Sequence, residues 1–150
     1  MKHGKADIKK KLTQGAERAA AGRARWTETR QAAYHALLTL HKPVTAYQLL
    51  SHVETLGYGT FKPTSIYRAL SALCMLGLAV RIESLNAYIA CCDPHEDHQH
   101  IFLICKQCGS ADEIVDHSVS HKLRHDAAKH GFRAEMQVLE LSGACLTCTS

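Results

Sequence analysis

Apolar positions recur at helical spacing through the first half of the chain and give way to short β-type runs in the second. Residues 5 to 22 have the Ala, Lys, Gln and Glu content of a weakly amphipathic helix ending near Gly22. Thr27 is an N-cap for a second helix through Leu40, with Ala33, Leu37 and Leu40 on one stripe and Pro43 stopping it. Thr45 caps a third, whose pattern turns Tyr47, Leu50 and Val53 inward and whose exit is Gly57 to Gly59. The fourth opens at Lys62-Pro63, where the missing proline N–H costs nothing, buries Ile66, Leu70 and Leu73, and ends at Gly77. Leu78 to Glu83, a turn around Ser84 to Ala87, and Tyr88 to Cys92 then form a two-stranded wing, because Val80 and Ile82 alternate with Arg81 and Glu83.

The second half predicts a strand at Ile101 to Ile104, another at Ala111 to Val115, a helix from Val119 to His130 and a strand from Phe132 to Leu141. Its exposed strand edges invite pairing with a second copy, so a homodimer is the expected assembly. The fold class is therefore α+β. An N-terminal winged helix-turn-helix domain spans residues 1–90, and a C-terminal small α/β dimerisation domain spans 91–150. No apolar run reaches the roughly 18 to 20 residues of a membrane span, and the lysine-rich start lacks the apolar stretch of a signal peptide. The expectation is a cytoplasmic protein with reduced thiols and no membrane partner.

Charge separates the two halves. Up to Arg81 there are 13 Lys and Arg against 4 Asp and Glu; from Ile82 onward there are 5 against 10. A basic half suits a polyanion. The phase of the fourth helix leaves Thr64, Ser65, Tyr67, Arg68 and Ser71 facing outward near its start, a set able to bond phosphates or base edges in the major groove of double-stranded DNA.

The acidic half holds six of the seven cysteines and seven of the eleven histidines. Cys105-x-x-Cys108 and Cys145-x-x-Cys148 lie 36 residues apart, and each pair can place two thiolates about 2.3 Å from one tetrahedral ion. Four sulfurs leave no open position, which describes structural zinc rather than a catalytic metal. Residues 91–100 add Cys91, Cys92, Asp93, His95, Glu96, Asp97, His98 and His100, a density of ligand types that packing does not explain. His117, His121 and His125 fall on one helix stripe and read as a solvent-exposed face. His3, His35, His41, His52 and Cys74 carry no such pattern, and Cys74 reads as a small core residue.

Trp26-Thr27-x-x-Arg30, Ala46-Tyr47-x-Leu49-Leu50, the run Lys62 to Leu70, Glu83-Ser84-x-Asn86-x-Tyr88-x-x-Cys91, His98 seven before Cys105, Cys105-x-x-Cys108-Gly109 and Cys145-x-x-Cys148 occur together. In this combination, over about Arg25 to Cys148, the chain resembles the ferric uptake regulator family, and within it the zinc uptake regulators. The resemblance implies a dimeric, metal-responsive transcriptional repressor that binds a DNA operator. It also implies one structural Zn2+ on Cys105, Cys108, Cys145 and Cys148, and one regulatory Zn2+ near the hinge. Of the regulatory ligands, Cys91, His98 and Glu113 carry over. Val80 stands where the family has a wing histidine, so the fourth ligand falls to Glu83 or His100, with Cys92, Asp93 and His95 as further candidates. Gln137 replaces another family histidine, which argues against a second regulatory site. The resemblance also places the DNA-contacting tyrosine at Tyr67.

A site holding the thiolate of Cys91 beside imidazole and carboxylate suits zinc, whereas ferrous sensors use nitrogen and oxygen donors. Repression of zinc uptake genes is the resulting expectation, with iron, manganese or peroxide sensing as the alternatives within the family. An enzyme is not expected. A zinc deaminase needs His-x-Glu and Pro-Cys-x-x-Cys, but His95 is followed directly by Glu96 and no proline precedes Cys105. Nothing calls for a small-molecule substrate, and a zinc-dependent protein-interaction adaptor is the remaining alternative.

Overall fold

The computed structural model describes residues 5–91, 99–134 and 137–149. They fall into two compact units, the first ending with Cys91 and the second starting at Gln99 among the described residues.

The first unit consists of α1 (Lys5–Ala21), α2 (Glu28–Leu40), α3 (Ala46–Thr55), α4 (Pro63–Met75), β1 (Ala79–Ile82), a 3-10 turn (Glu83–Leu85) and β2 (Ala87–Ala90). Local chemistry starts each of the middle helices. The Thr27 hydroxyl accepts the Arg30 N–H, and Thr45 and Gln48 form a reciprocal capping box. Pro63 occupies the first turn of α4. α2 is central: Ala32, Ala33, Tyr34, Ala36, Leu37 and Leu38 are buried against Leu49 and Val53 of α3 and Ile66, Leu70 and Leu73 of α4.

After α4 the chain reverses at Gly77, whose φ of +69° favours glycine. A Cβ there would lie 3.1 Å from the Arg18 guanidinium, whose Nε donates to the Leu76 carbonyl and so terminates α4. β1 and β2 then pair antiparallel from Ala79↔Ala90 to Ile82↔Ala87. Asn86, at φ +46°, closes the turn. Val44 exchanges two backbone hydrogen bonds with Tyr88, at 3.0 and 2.7 Å, which ties the wing to the α2–α3 connection.

The inward face of α3 differs from the sequence pattern. Ala46, Leu49 and Val53 form its buried stripe, while Tyr47 is 64% exposed. The capping box makes Ala46 the first helical residue, and its small side chain takes the inward place that the pattern assigned to Tyr47.

The second unit comprises β3 (His100–Cys105), β4 (Ala111–Ile114), α5 (His117–Lys129) and β5 (Val138–Gly143). The sheet order is β4-β3-β5, with β3 antiparallel to β4 and parallel to β5. α5 begins two residues before the expected Val119. The Asp116 carboxylate accepts the N–H groups of Ser118 and Val119 at 2.8 and 3.2 Å, and the bonds from Ser118 and Val119 hold its pKa below the usual carboxylate range. β5 starts at Val138 instead of Phe132, because residues 130–132 form the helix exit. Gly131 takes φ +70°, and the Phe132 N–H returns to the Ala127 carbonyl. Ile101, Phe102, Ile104 and Cys105 are buried, but no residue of α5 is, and Leu103, Ile114, Leu123 and Leu141 remain exposed. Among the described residues no helix is long and apolar enough to cross a membrane.

Candidate metal centre and nucleic-acid interface

Strand pairing assembles the four-cysteine cluster. β3 ends at Cys105, where a tight turn closes through a Gly109 N–H to Cys105 carbonyl bond of 2.9 Å and brings Cys108 back. β5 runs parallel beside β3, with Gly143 opposite Cys105 and the Lys106 N–H on the Gly143 carbonyl at 2.9 Å. That register delivers Cys145 next to Cys105, and a second turn, closed from Cys148 N–H to the Cys145 carbonyl, brings in Cys148.

One ligand atom from each of the four cysteines lies within 4.8 Å of every other. Cys108 and Cys145 sulfurs are 3.9 Å apart. A tetrahedral ion with bonds of about 2.3 Å would set its sulfurs roughly 3.8 Å apart, so the donor set fits zinc in both chemistry and spacing.

Crowding of the sulfurs spreads their acidities. Backbone N–H groups of Cys108 and Cys145 point at the Cys105 sulfur and hold its thiol down to about 6. The Thr147 hydroxyl lowers Cys145. Cys148, beside the Cys145 sulfur, is pushed up to about 12. Charge on the first sulfurs opposes ionisation of the last, and a dication removes that opposition.

The residues proposed for regulation are distributed over both units. Cys91 is buried and donates its N–H to the Leu78 carbonyl at 3.0 Å, directly after the wing. In the second unit His100 Nδ1 and Glu113 Oε1 are 2.5 Å apart across β3 and β4, with little side-chain exposure. Neither composition nor periodicity reveals that contact, because it depends on the register that sets Phe102 opposite Glu113. Glu83 sits on the wing turn with its carboxylate 3.4 Å from Arg81 and largely in solvent. Val80 is buried. Cys92, Asp93, His95 and His98 lie outside the described residues. Gln137 accepts a hydrogen bond from the Ser120 hydroxyl at 3.2 Å.

On α4 the burial of Ile66 and Leu70 leaves Thr64, Tyr67, Arg68 and Ser71 exposed and Ser65 partly so. Tyr67 meets Tyr47 of α3 edge to face, with centroids 6.4 Å apart and planes at 84°. Tyr47 thus joins the outward surface. The alternative i, i+3 phase of Ala46, Leu49 and Val53 was the signal in the sequence that could have placed it there.

A winged helix with an outward-facing α4, carried on one chain with four cysteines spaced for a tetrahedral ion, joins a candidate nucleic-acid surface to a candidate metal centre. The chain belongs to the ferric uptake regulator family, whose match covers residues 22–142. It is 32% identical over 106 residues to the zinc uptake regulation protein of Escherichia coli strain K12, covering 70% of this chain and 61% of that relative's length. Among solved structures it is similar to a zinc uptake regulator complexed with zinc and DNA, with a TM-score of 0.82, 28% identity and 95% of each chain covered. Holo XcZur is also similar, with a TM-score of 0.77, 33% identity, and 92% of this chain and 96% of that one covered.

Proposed function

We propose that this protein is a zinc-responsive transcriptional repressor of zinc uptake genes, a cytoplasmic homodimer without catalytic activity that binds a double-stranded DNA operator. The observation that carries the reading is the likeness to a regulator bound to zinc and DNA over 95% of both chains. Tyr67 and Arg68 on the exposed side of α4 support DNA contact there, with Thr64 and Ser65 toward the helix start and Tyr47 beside them. The exposed Leu103, Leu141 and Leu146 border a groove of about 610 Å³ on the second unit, apolar surface of a kind that a second copy would cover.

Structural zinc on Cys105, Cys108, Cys145 and Cys148 supplies the dication that lets all four thiolates coexist. Cys91, His98 and Glu113 are the regulatory ligands in this reading. The 2.5 Å contact between His100 and Glu113 supports His100 over the solvent-exposed Glu83 as the fourth. Zinc favours the DNA-competent state to the extent that it binds that state more tightly.

Selection of genomic DNA fragments by the protein, with and without zinc, tests the function. Zinc-stimulated, salt-dependent recovery of a shared operator is expected. Stimulation by ferrous or manganous ion but not by zinc would move the protein to another metal within its family, and indifference to every metal would refute the regulatory reading.

A further inference from the structure

The histidine stripe of α5 is used neither by the four-cysteine centre nor by the proposed operator surface. His117, His121 and His125 are all exposed, at successive four-residue steps. Each step advances about 400° around the helix, so the three side chains share one stripe about 80° wide. The half-buried Val119, Ser120 and Ala127 lie away from that stripe, while Arg124 borders it beside His117. The flanking charges are engaged elsewhere: Asp126 pairs with Lys122 at 2.9 Å and with Lys129 at 3.4 Å.

His121 and His125 stand one helical turn apart with their exposed rings side by side. Their rings lie 8° from parallel with centroids 6.4 Å apart. Two imidazoles at neighbouring positions of one ion, with metal–nitrogen bonds of about 2.0 to 2.1 Å, bring their centroids to roughly 5 Å. Both ring planes must also contain the ion, so chelation turns the two rings out of their parallel stack, a rotation open to exposed side chains.

We propose that His121 and His125 form an additional divalent-metal site, with imidazole donors from one helix face and water completing the shell. Neutral nitrogen donors select zinc, nickel or copper over magnesium or calcium. With two protein ligands instead of four, and no thiolate, the site binds more weakly than the cysteine centre and exchanges freely with solvent. It fills last as zinc rises. The proposal does not depend on operator binding or on the regulatory ligand set.

The test uses the full-length protein dialysed to retain only its tightly held ions and then titrated with zinc chloride. Calorimetry reports uptake, and 15N shifts of the histidine rings report its location. The parent is expected to take up a further equivalent per chain, with shifts at His121 and His125. His121→Gln, His125→Gln together should lower uptake by one equivalent per chain and remove the ring shifts at these positions, while His117→Gln, which leaves the pair intact, should keep both. Unchanged uptake in the double variant, or ring shifts confined to other histidines of the parent, would overturn the assignment.

Discussion

Replacing Cys148 with serine removes one of the four thiolates and leaves an ion that three sulfurs cannot enclose. A zinc held there would carry much of the stability of the second unit. Among the described residues its large buried apolar side chains are Ile101, Phe102 and Ile104, and at roughly 1.5 to 3 kcal/mol each they contribute roughly 5 to 9 kcal/mol. A structural zinc contributes on the order of 10 to 16 kcal/mol to folding. Such an ion would therefore stabilise this unit more than its apolar core does. It also fastens β5 to the end of β3, because Cys145 and Cys148 follow β5 while Cys105 and Cys108 follow β3. The first unit owns a separate core built on α2. Zinc removal or Cys148→Ser should accordingly abolish cooperative melting of the second unit while helical circular dichroism from the first persists. Amide hydrogen exchange should show loss of protection in β3 and β5 but not in α2. Sedimentation should show dissociation of the dimer. Full zinc content and an unchanged protection pattern in Cys148→Ser would refute the four-cysteine assignment and the dependence drawn from it.

Arg68→Ala should weaken operator binding by about 1 to 3 kcal/mol if the guanidinium reads a base, and should mainly lower the salt dependence if it holds a phosphate; titrations at several salt concentrations separate the two. Tyr47→Ala and Tyr67→Ala should each weaken the same binding, and a double-mutant cycle should show coupling, since the rings touch. Cys91→Ser and Glu113→Ala should keep one tightly bound zinc per chain and the dimer, yet lose zinc stimulation of operator binding. His100→Ala should resemble them, whereas Glu83→Ala should resemble the parent; the reverse ranking, read by zinc-dependent anisotropy, would make Glu83 the fourth ligand. Thr45→Ala deletes half of the α3 capping box and should destabilise the first unit by about 1 kcal/mol, measured by denaturant unfolding.

Much of the first unit could be read directly from the chain because its signals are local. Thr27 and Thr45 begin helices through bonds to residues three positions on, and Ile66, Leu70 and Leu73 repeat within a single helix. The outward set on α4 follows from that phase alone. Failures came where two local signals competed. In α3 both Tyr47 and Ala46 could head an inward stripe, and the cap, together with the space available against α2, decided for alanine. At the ends of α5, Asp116 and Gly131 carried the boundary information in hydrogen bonds and a positive φ that hydrophobic periodicity does not register.

The donor chemistry is legible in the chain: two Cys-x-x-Cys turns, a thiolate count that closes a tetrahedron, and a basic half joined to an acidic, ligand-rich one. Only tertiary structure decided how those pieces meet. Cys105 and Cys145 are separated by 40 positions, and the parallel register of β3 with β5 brings their sulfurs into one cluster. His100 and Glu113 come within 2.5 Å through the antiparallel register of β3 with β4. The physical reason is range. Helix caps and stripes are set by neighbours within about one turn, whereas a strand register is chosen by the packing of both sheet faces, and a slip of one residue would send every side chain to the opposite face.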